Sequence, residues 1–261
     1  GRDLHHDRNP EWWASRALLL FPIVGGLVGD SYRIGDQHYT LLRHGFARRQ
    51  SFEAIEQSEN RVRFRLTDNA ATRAVYPFAF RFDADYAIED GALTMTLTAT
   101  NLGDTDMPAS LGYHPAFVWP LPYGQPRAAH RLRFDEEESD SLSLLGDGLI
   151  VSDQRPTPVE GRDLFLKDVL FEDDALIWRH LRSRGCLYGA PDGPQLRIDW
   201  SDMPSLGLWT KPGAPYLCIE PWEGIADNAG FDGEIWDKPG IRRIAPGEAL
   251  SHWMRVTVRS E

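Results

Sequence analysis

The chain has 261 residues, 28 Lys and Arg against 39 Asp and Glu, a formal net charge of −11, and 11% aromatic residues including nine Trp. That length reads as one large domain over residues 1–261, and an acidic chain with no basic run excludes nucleic acid and anionic membrane surfaces as partners by bulk field. Two cysteines, Cys186 and Cys218, exclude a disulfide scaffold and read as two reduced thiols, while no apolar run nears the roughly 20 residues that cross a bilayer.

In chain order, His5-His6 reads as an exposed pair, and residues 9–17, with Pro10 at a first-turn position, read as a short helix. The apolar stretch 17–28 is broken by Pro22, Gly25 and Gly26, and its glycines read as turn and bulge positions because no phosphate-loop Lys-Ser/Thr follows. Alternation then dominates. Val62, Phe64 and Leu66 alternate with Arg61, Arg63 and Arg65; Phe78, Phe80 and Phe82 share a face; Leu93, Met95, Leu97 and Ala99 alternate with threonines. The pattern returns at Leu196, Ile198 and Trp200 and at Met254, Val256 and Val258. A period of two in β-branched and aromatic residues predicts half-buried strands. Turn clusters at 89–91 and 101–104 separate them, and 135–140 and 156–163 read as solvated loops. The expected class is all-β, a large antiparallel β-sandwich. No secretory signal pattern opens the chain, so the cytoplasm is the default compartment.

Several chemistries lack their residues. There is no H-E-x-x-H and no G-x-S-x-G, and Asp83, Asp85 and Asp90 lack EF-hand spacing. A reaction needing neither metal nor cofactor, or no reaction at all, is therefore expected. Three segments combine ionisable side chains with Gly, Pro and aromatics: Arg43-His44-Gly45-Phe46-Ala47-Arg48, Gly112-Tyr113-His114-Pro115-Ala116-Phe117, and residues 218–227, which contain Cys218-Ile219-Glu220-Pro221-Trp222-Glu223-Gly224. Strand parity puts Tyr216, Cys218 and Glu220 on one face, with Pro221 expected to end that ladder. It puts His114 beside Gly112, where a ligand has room to approach the ring. An imidazole and a carboxylate exchange protons near neutral pH, and indoles stack on the apolar faces of sugar rings. A carbohydrate ligand is the expectation, with Phe117, Trp209 and Trp222 as candidates to line the cleft.

At these segments, preceded by Trp12-Trp13 and Leu20-Phe21-Pro22-Ile23-Val24-Gly25, the chain resembles the aldose 1-epimerase (galactose mutarotase-like) superfamily, in its LacX-like branch. The resemblance implies a β-sandwich with a sugar site on a concave sheet face, and a cofactor-independent isomerase interconverting the α and β anomers of an aldose. It implies His114 as general acid to the ring oxygen and Glu220 as general base to the C1 hydroxyl. It also implies His44 as a sugar-polarising histidine, Asp174 (or its neighbour Asp173) as a hydroxyl-binding carboxylate, and Arg43 or Arg48 as substrate contacts. Many relatives carry a basic residue after the Phe-Pro-x-x-Gly turn, where this chain has Gly26, so that contact is expected to be either missing here or supplied by another Arg. Relatives also open with further strands, which implies residues ahead of Gly1. A hexose-6-phosphate 1-epimerase using Arg43, Arg48 and Arg49, and a non-catalytic sugar-binding domain, are the competing readings; a glycosidase using Glu220 and Glu223 is the weakest.

Overall fold

The computed structural model describes residues 2–260, and two antiparallel sheets dominate it. The first has seven strands in the order Ala17–Leu20, Gly112–Val118, Tyr216–Trp222, Ser205–Trp209, Leu176–Trp178, Leu142–Gly146 and Leu149–Arg155. The second has nine: Asp163–Phe165, Arg131–Phe134, Gly185–Gly189, Gln195–Trp200, Ala249–Arg259, Ala92–Asn101, Phe80–Glu89, Arg61–Thr67 and Glu53–Gln57. Two short strand pairs sit outside them: the hairpin of Ser31–Ile34 with Gln37–Thr40, and the long-range pair of Met107–Ala109 with Arg242–Ile244.

The two sheets meet face to face because each alternating strand has one apolar row to hide. Phe80, Phe82, Leu97, Ile198 and Met254 of the nine-stranded sheet pack with Tyr113, Phe117, Leu206, Leu208, Leu217 and Ile219 of the seven-stranded sheet in one core. The Phe21 ring stacks on Phe82 at 4.6 Å. Each fully buried ring of this kind contributes about 1.5–3 kcal/mol. The Tyr113 hydroxyl crosses the core and directs its one proton to the carbonyls of Met95 (2.8 Å) and His252 (2.9 Å) on the far sheet, both within hydrogen-bond reach. On the outer face of the nine-stranded sheet, Arg61, Arg63 and Arg65 meet Asp83 and Asp85 across the strands, for example Arg65 Nε to Asp83 Oδ1 at 2.7 Å. Those aspartates are thus occupied by guanidinium groups.

Several sequence expectations change. Residues 9–17 form one turn, not a helix: the N–H groups of Trp12 and Trp13 both donate to the Asn9 carbonyl, and a strand starts at Ala17. The two indoles pack toward the seven-stranded sheet, and that packing overrides local helix preference. The one α-helix among the described residues, Ala70–Val75, carries little apolar periodicity and is instead fixed by a reciprocal cap between Asn69 and Thr72. His6 is buried, its Nε2 2.8 Å from the Trp13 carbonyl oxygen. Glu138, within the acidic run, is buried because it accepts the N–H groups of Arg182 and Ser183. Pro221 does not end its ladder; Leu206 pairs with it and the strand continues to Trp222. Both cysteines are free and buried.

The loop after Trp222 is held by a buried ion pair. Lys238 Nζ donates to Asp227 Oδ1 (2.9 Å) and to the Ile225 carbonyl (2.7 Å), while Asp227 Oδ2 accepts the Val28 N–H (3.1 Å). Lys238→Met leaves the Asp227 carboxylate buried without its cation, so a loss of about 3–5 kcal/mol is expected in urea denaturation. The double variant Asp227→Asn, Lys238→Met should lose less than the single one.

Candidate active site

The outward parity of the seven-stranded sheet collects the residues of a cleft of about 550 Å³, within the size range of small-molecule sites. Strand Gly112–Val118 points Tyr113 and Phe117 into the core and His114 out; strand Tyr216–Trp222 points Leu217 and Ile219 in and Cys218, Glu220 and Trp222 out. The register pairs Cys218 with Ala116 and Trp222 with Gly112, which places Glu220 across from His114. No ladder pairing joins the two strands between those points. Pro115 and Pro221 fall in this interval, and neither has an N–H to give.

His114 Nδ1 lies 3.3 Å from Glu220 Oε1, close enough for an ion pair but not aligned as a hydrogen bond. Glu220 is 2% exposed. The two buried donors beside it, His114 Nδ1 and the Trp222 indole N–H, are both without a partner of good geometry. Burial pushes the Glu220 carboxyl well above the usual range. The Asp174 charge adds to this, and the nearby Trp222 N–H and Arg48 only partly oppose it. Burial, with Arg48 second, pushes His114 down to about 3. The two shifts have one meaning: a dry site penalises charge, so burial drives each group toward its neutral form, and between the two shifted pKa values the pair holds a single proton.

His44 is clamped to one backbone unit. Its N–H donates to the Gly25 carbonyl (2.8 Å), and its Nδ1 accepts the Gly25 N–H (3.1 Å). A ring that accepts at Nδ1 carries its proton on Nε2 when neutral, which makes Nε2–H a donor. Burial first, then the cations around it, hold its pKa well below the ordinary value, so it stays neutral. The clamp uses backbone that few residues adopt: His44 has φ 64° and Gly45 φ 68°. A Cβ on Gly25 (φ 76°) would strike the Ala226 backbone. The His44 ring meets His114 edge-on at 5.9 Å, and the Trp13 indole stacks on His114 at 4.8 Å.

The Aldose 1-epimerase family model matches residues 12–257. The chain is 33% identical to Protein LacX (chromosomal) of Lactococcus lactis subsp. lactis, over 96% of this chain and 87% of that protein. In structure it resembles a galactose mutarotase related enzyme of Lactobacillus acidophilus, with TM-score 0.92 and 31% identity over 99% of this chain and 88% of that one. It also resembles a galactose mutarotase-like protein of Lactobacillus casei, with TM-score 0.89 and 26% identity over 99% and 90%. The chain belongs to the aldose 1-epimerase family.

In this aldose 1-epimerase family member, His44, His114, Glu220, Arg43, Arg48, Asp174, Trp209 and Trp222 all line the one cleft. Asp174 (φ 86°) does so from a turn in which its Oδ1 accepts the Ala175 N–H, whereas Asp173 turns away to Arg155. Phe117 does not line it. It lies three residues from His114, an odd step on a strand, so it faces the core at 1% exposure. Trp13 takes the wall position that Phe117 was expected to fill; its sequence signal was the Trp12-Trp13 pair, but nothing local places that loop over the sheet. Lys211 also lines the cleft and has no motif of its own. The Arg43 guanidinium lies against Gly148 and near Gly26, in the space a side chain at Gly26 would enter.

Gly207 pairs with Glu220, and a Cβ there would stand 2.4 Å from Trp222 Cη2, so the indole lies across the glycine. Gly207→Ala is expected to cost about 1–3 kcal/mol by overpacking and to change the near-ultraviolet circular dichroism as Trp222 turns. A spectrum and Tm identical to the parent would show that the indole does not need that gap.

Proposed function

We propose that the protein is an aldose 1-epimerase that opens and recloses a sugar ring with the His114–Glu220 pair. The observation that carries this reading is a buried carboxyl and an imidazole 3.3 Å apart on the floor of an indole-walled cleft, with no other hydrogen-bond partner aligned on the imidazole Nδ1. With an α-aldose bound over Trp13, Trp209 and Trp222, Glu220 in its carboxylate form takes the proton of the C1 hydroxyl. Protonated His114 gives its proton to the ring oxygen, and the C1–O bond breaks. The open-chain aldehyde rotates about C1–C2. His114 then retakes the proton from the freed hydroxyl as that oxygen attacks C1 from the other side, and Glu220 returns its proton to the carbonyl oxygen. No electron or group is lost, and the pair ends in its starting state. The His44 Nε2–H donates to a sugar oxygen and polarises it, and Asp174 accepts from a hydroxyl at the rim.

A second reading, that the aldose is a sugar phosphate, is favoured by one feature. Arg43, Arg48 and Lys211 line the cleft, and none of the ion pairs among the described residues involves them. The Arg48 pKa is lowered by burial and then by Arg49 and Arg43, with Glu220 opposing only in part, so the arginines stand close together. Charged hydrogen bonds to phosphate would supply a counter-charge.

Polarimetry on freshly dissolved α-glucose, α-galactose and glucose 6-phosphate tests both readings. Glu220→Gln and His114→Asn should each slow mutarotation by about 10²–10⁴-fold; unchanged rates would reject the relay, and sugar binding without acceleration would make the domain a binding module. Arg43→Met with Arg48→Met should raise KM for the phosphate alone if the second reading holds. Because burial raises the Glu220 pKa and lowers that of His114 to about 3, kcat/KM should be flat between the two, where the pair holds one proton. It should fall on the alkaline side as that proton leaves, and a pH–rate profile reads this directly.

A further inference from the structure

The acid/base pair has a third neighbour that the proposed reaction does not use. Cys218 precedes Glu220 by two residues on the same outward face, fully buried in an apolar cluster with Ala116, Ala214 and Tyr216 against which Trp13 and Trp209 pack. One ligand atom each from His114, Cys218 and Glu220 lies within 4.8 Å of the others. The His–Glu edge of that triangle is already 3.3 Å. Four-coordinate zinc with bonds of about 2.0–2.3 Å needs edges of roughly 3.3–3.8 Å, so drawing the thiol inward by about an ångström closes the set. The His114 Nδ1 is buried and without a hydrogen-bond partner. The Glu220 side chain, 97% buried by the 3% that remains exposed, turns the same way. The His114 nitrogen is thus an unpartnered buried group facing that carboxylate, and both residues line the cleft through which an ion would arrive.

We propose that His114, Cys218 and Glu220 form an inhibitory site for a thiophilic divalent cation of the Zn²⁺ or Cd²⁺ class. Binding exchanges protons for metal: the thiol gives up its proton, the His–Glu pair gives up the one it shares, and the ion bonds to imidazole nitrogen, thiolate sulfur and carboxylate oxygen. The two negative charges of thiolate and carboxylate balance the ion, which meets the dry site's demand for neutrality. Hard cations such as Mg²⁺ find one carboxylate and two softer groups, and are not held. The occupied relay carries no movable proton, so the metal and the sugar exclude each other. This inhibition rests on the reading of His114 and Glu220 as the proton relay; the metal site itself does not.

The test uses the whole chain with Co²⁺ as spectroscopic probe and Zn²⁺ as inhibitor, on the parent, Cys218→Ala and Cys218→Ser. Co²⁺ should give a thiolate-to-metal charge-transfer band in the parent that both variants lack. Zn²⁺ should inhibit mutarotation in competition with the sugar, with Mg²⁺ inert. Both variants should keep mutarotation, and their Zn²⁺ inhibition constants should rise by more than the roughly 10–100-fold that loss of an outer-shell partner costs. A parent without the band, or equal Zn²⁺ inhibition in parent and variants, would overturn the site. A parent that shows the band but no mutarotation with any sugar would retain the metal site and reject the enzymatic reading.

Discussion

The arrangement depends on one constraint: two ionisable groups share a dry pocket that tolerates little net charge. Glu220 and His114 are driven in opposite pKa directions by the same burial, and the cheapest state holds one proton for two sites. Everything around them preserves that poise. The interval of unpaired ladder around Pro115 and Pro221 lets the two side chains face each other where backbone pairing lapses. Trp13 and Trp222 exclude water from either side while leaving an apolar platform. His44, fixed by Gly25, adds a neutral donor, so a hydrogen bond is available to a ligand without another titrating charge in the cleft.

The outward face of the seven-stranded sheet was legible because its residues obey a period of two. Once Tyr216–Trp222 is a strand, Cys218, Glu220 and Trp222 must share a side, and Gly112 and His114 follow in the same way. The same rule identifies Phe117 as a core residue, since it stands an odd number of positions from His114; its aromatic character drew it into the cleft against its parity. The all-β class and the sandwich were readable for the same reason, through Arg61–Thr67 and Ala92–Asn101, whose alternating rows leave no other economical packing.

What escaped the sequence is long-range. Trp13 reaches His114 because the turn at Asn9 folds back over a sheet whose central strands lie a hundred and two hundred residues away. Lys238 meets Asp227 through a loop closure that no local pattern encodes, and Glu138 looks like any other member of an acidic run until two N–H groups bury it. The Asp173–Asp174 ambiguity was also tertiary: a left-handed backbone at Asp174 turns one carboxylate toward the cleft and the other toward Arg155. Pattern assigns a residue to a face; only the packing of distant segments decides what lies above it.

The Tyr113 hydroxyl has a consequence for how such a site can diversify. Tyr113 is the chain neighbour of His114, and through its bonds to the carbonyls of Met95 and His252 it rivets the strand beneath the imidazole to the opposite sheet. The position of the imidazole is thus set by the thickness of the sandwich. The rim, by contrast, comes from separate loops carrying Arg43, Asp174 and Lys211. Such a layout separates a fixed anvil from an interchangeable jig: the loops can be recut for a different sugar while the proton-bearing pair keeps its spacing.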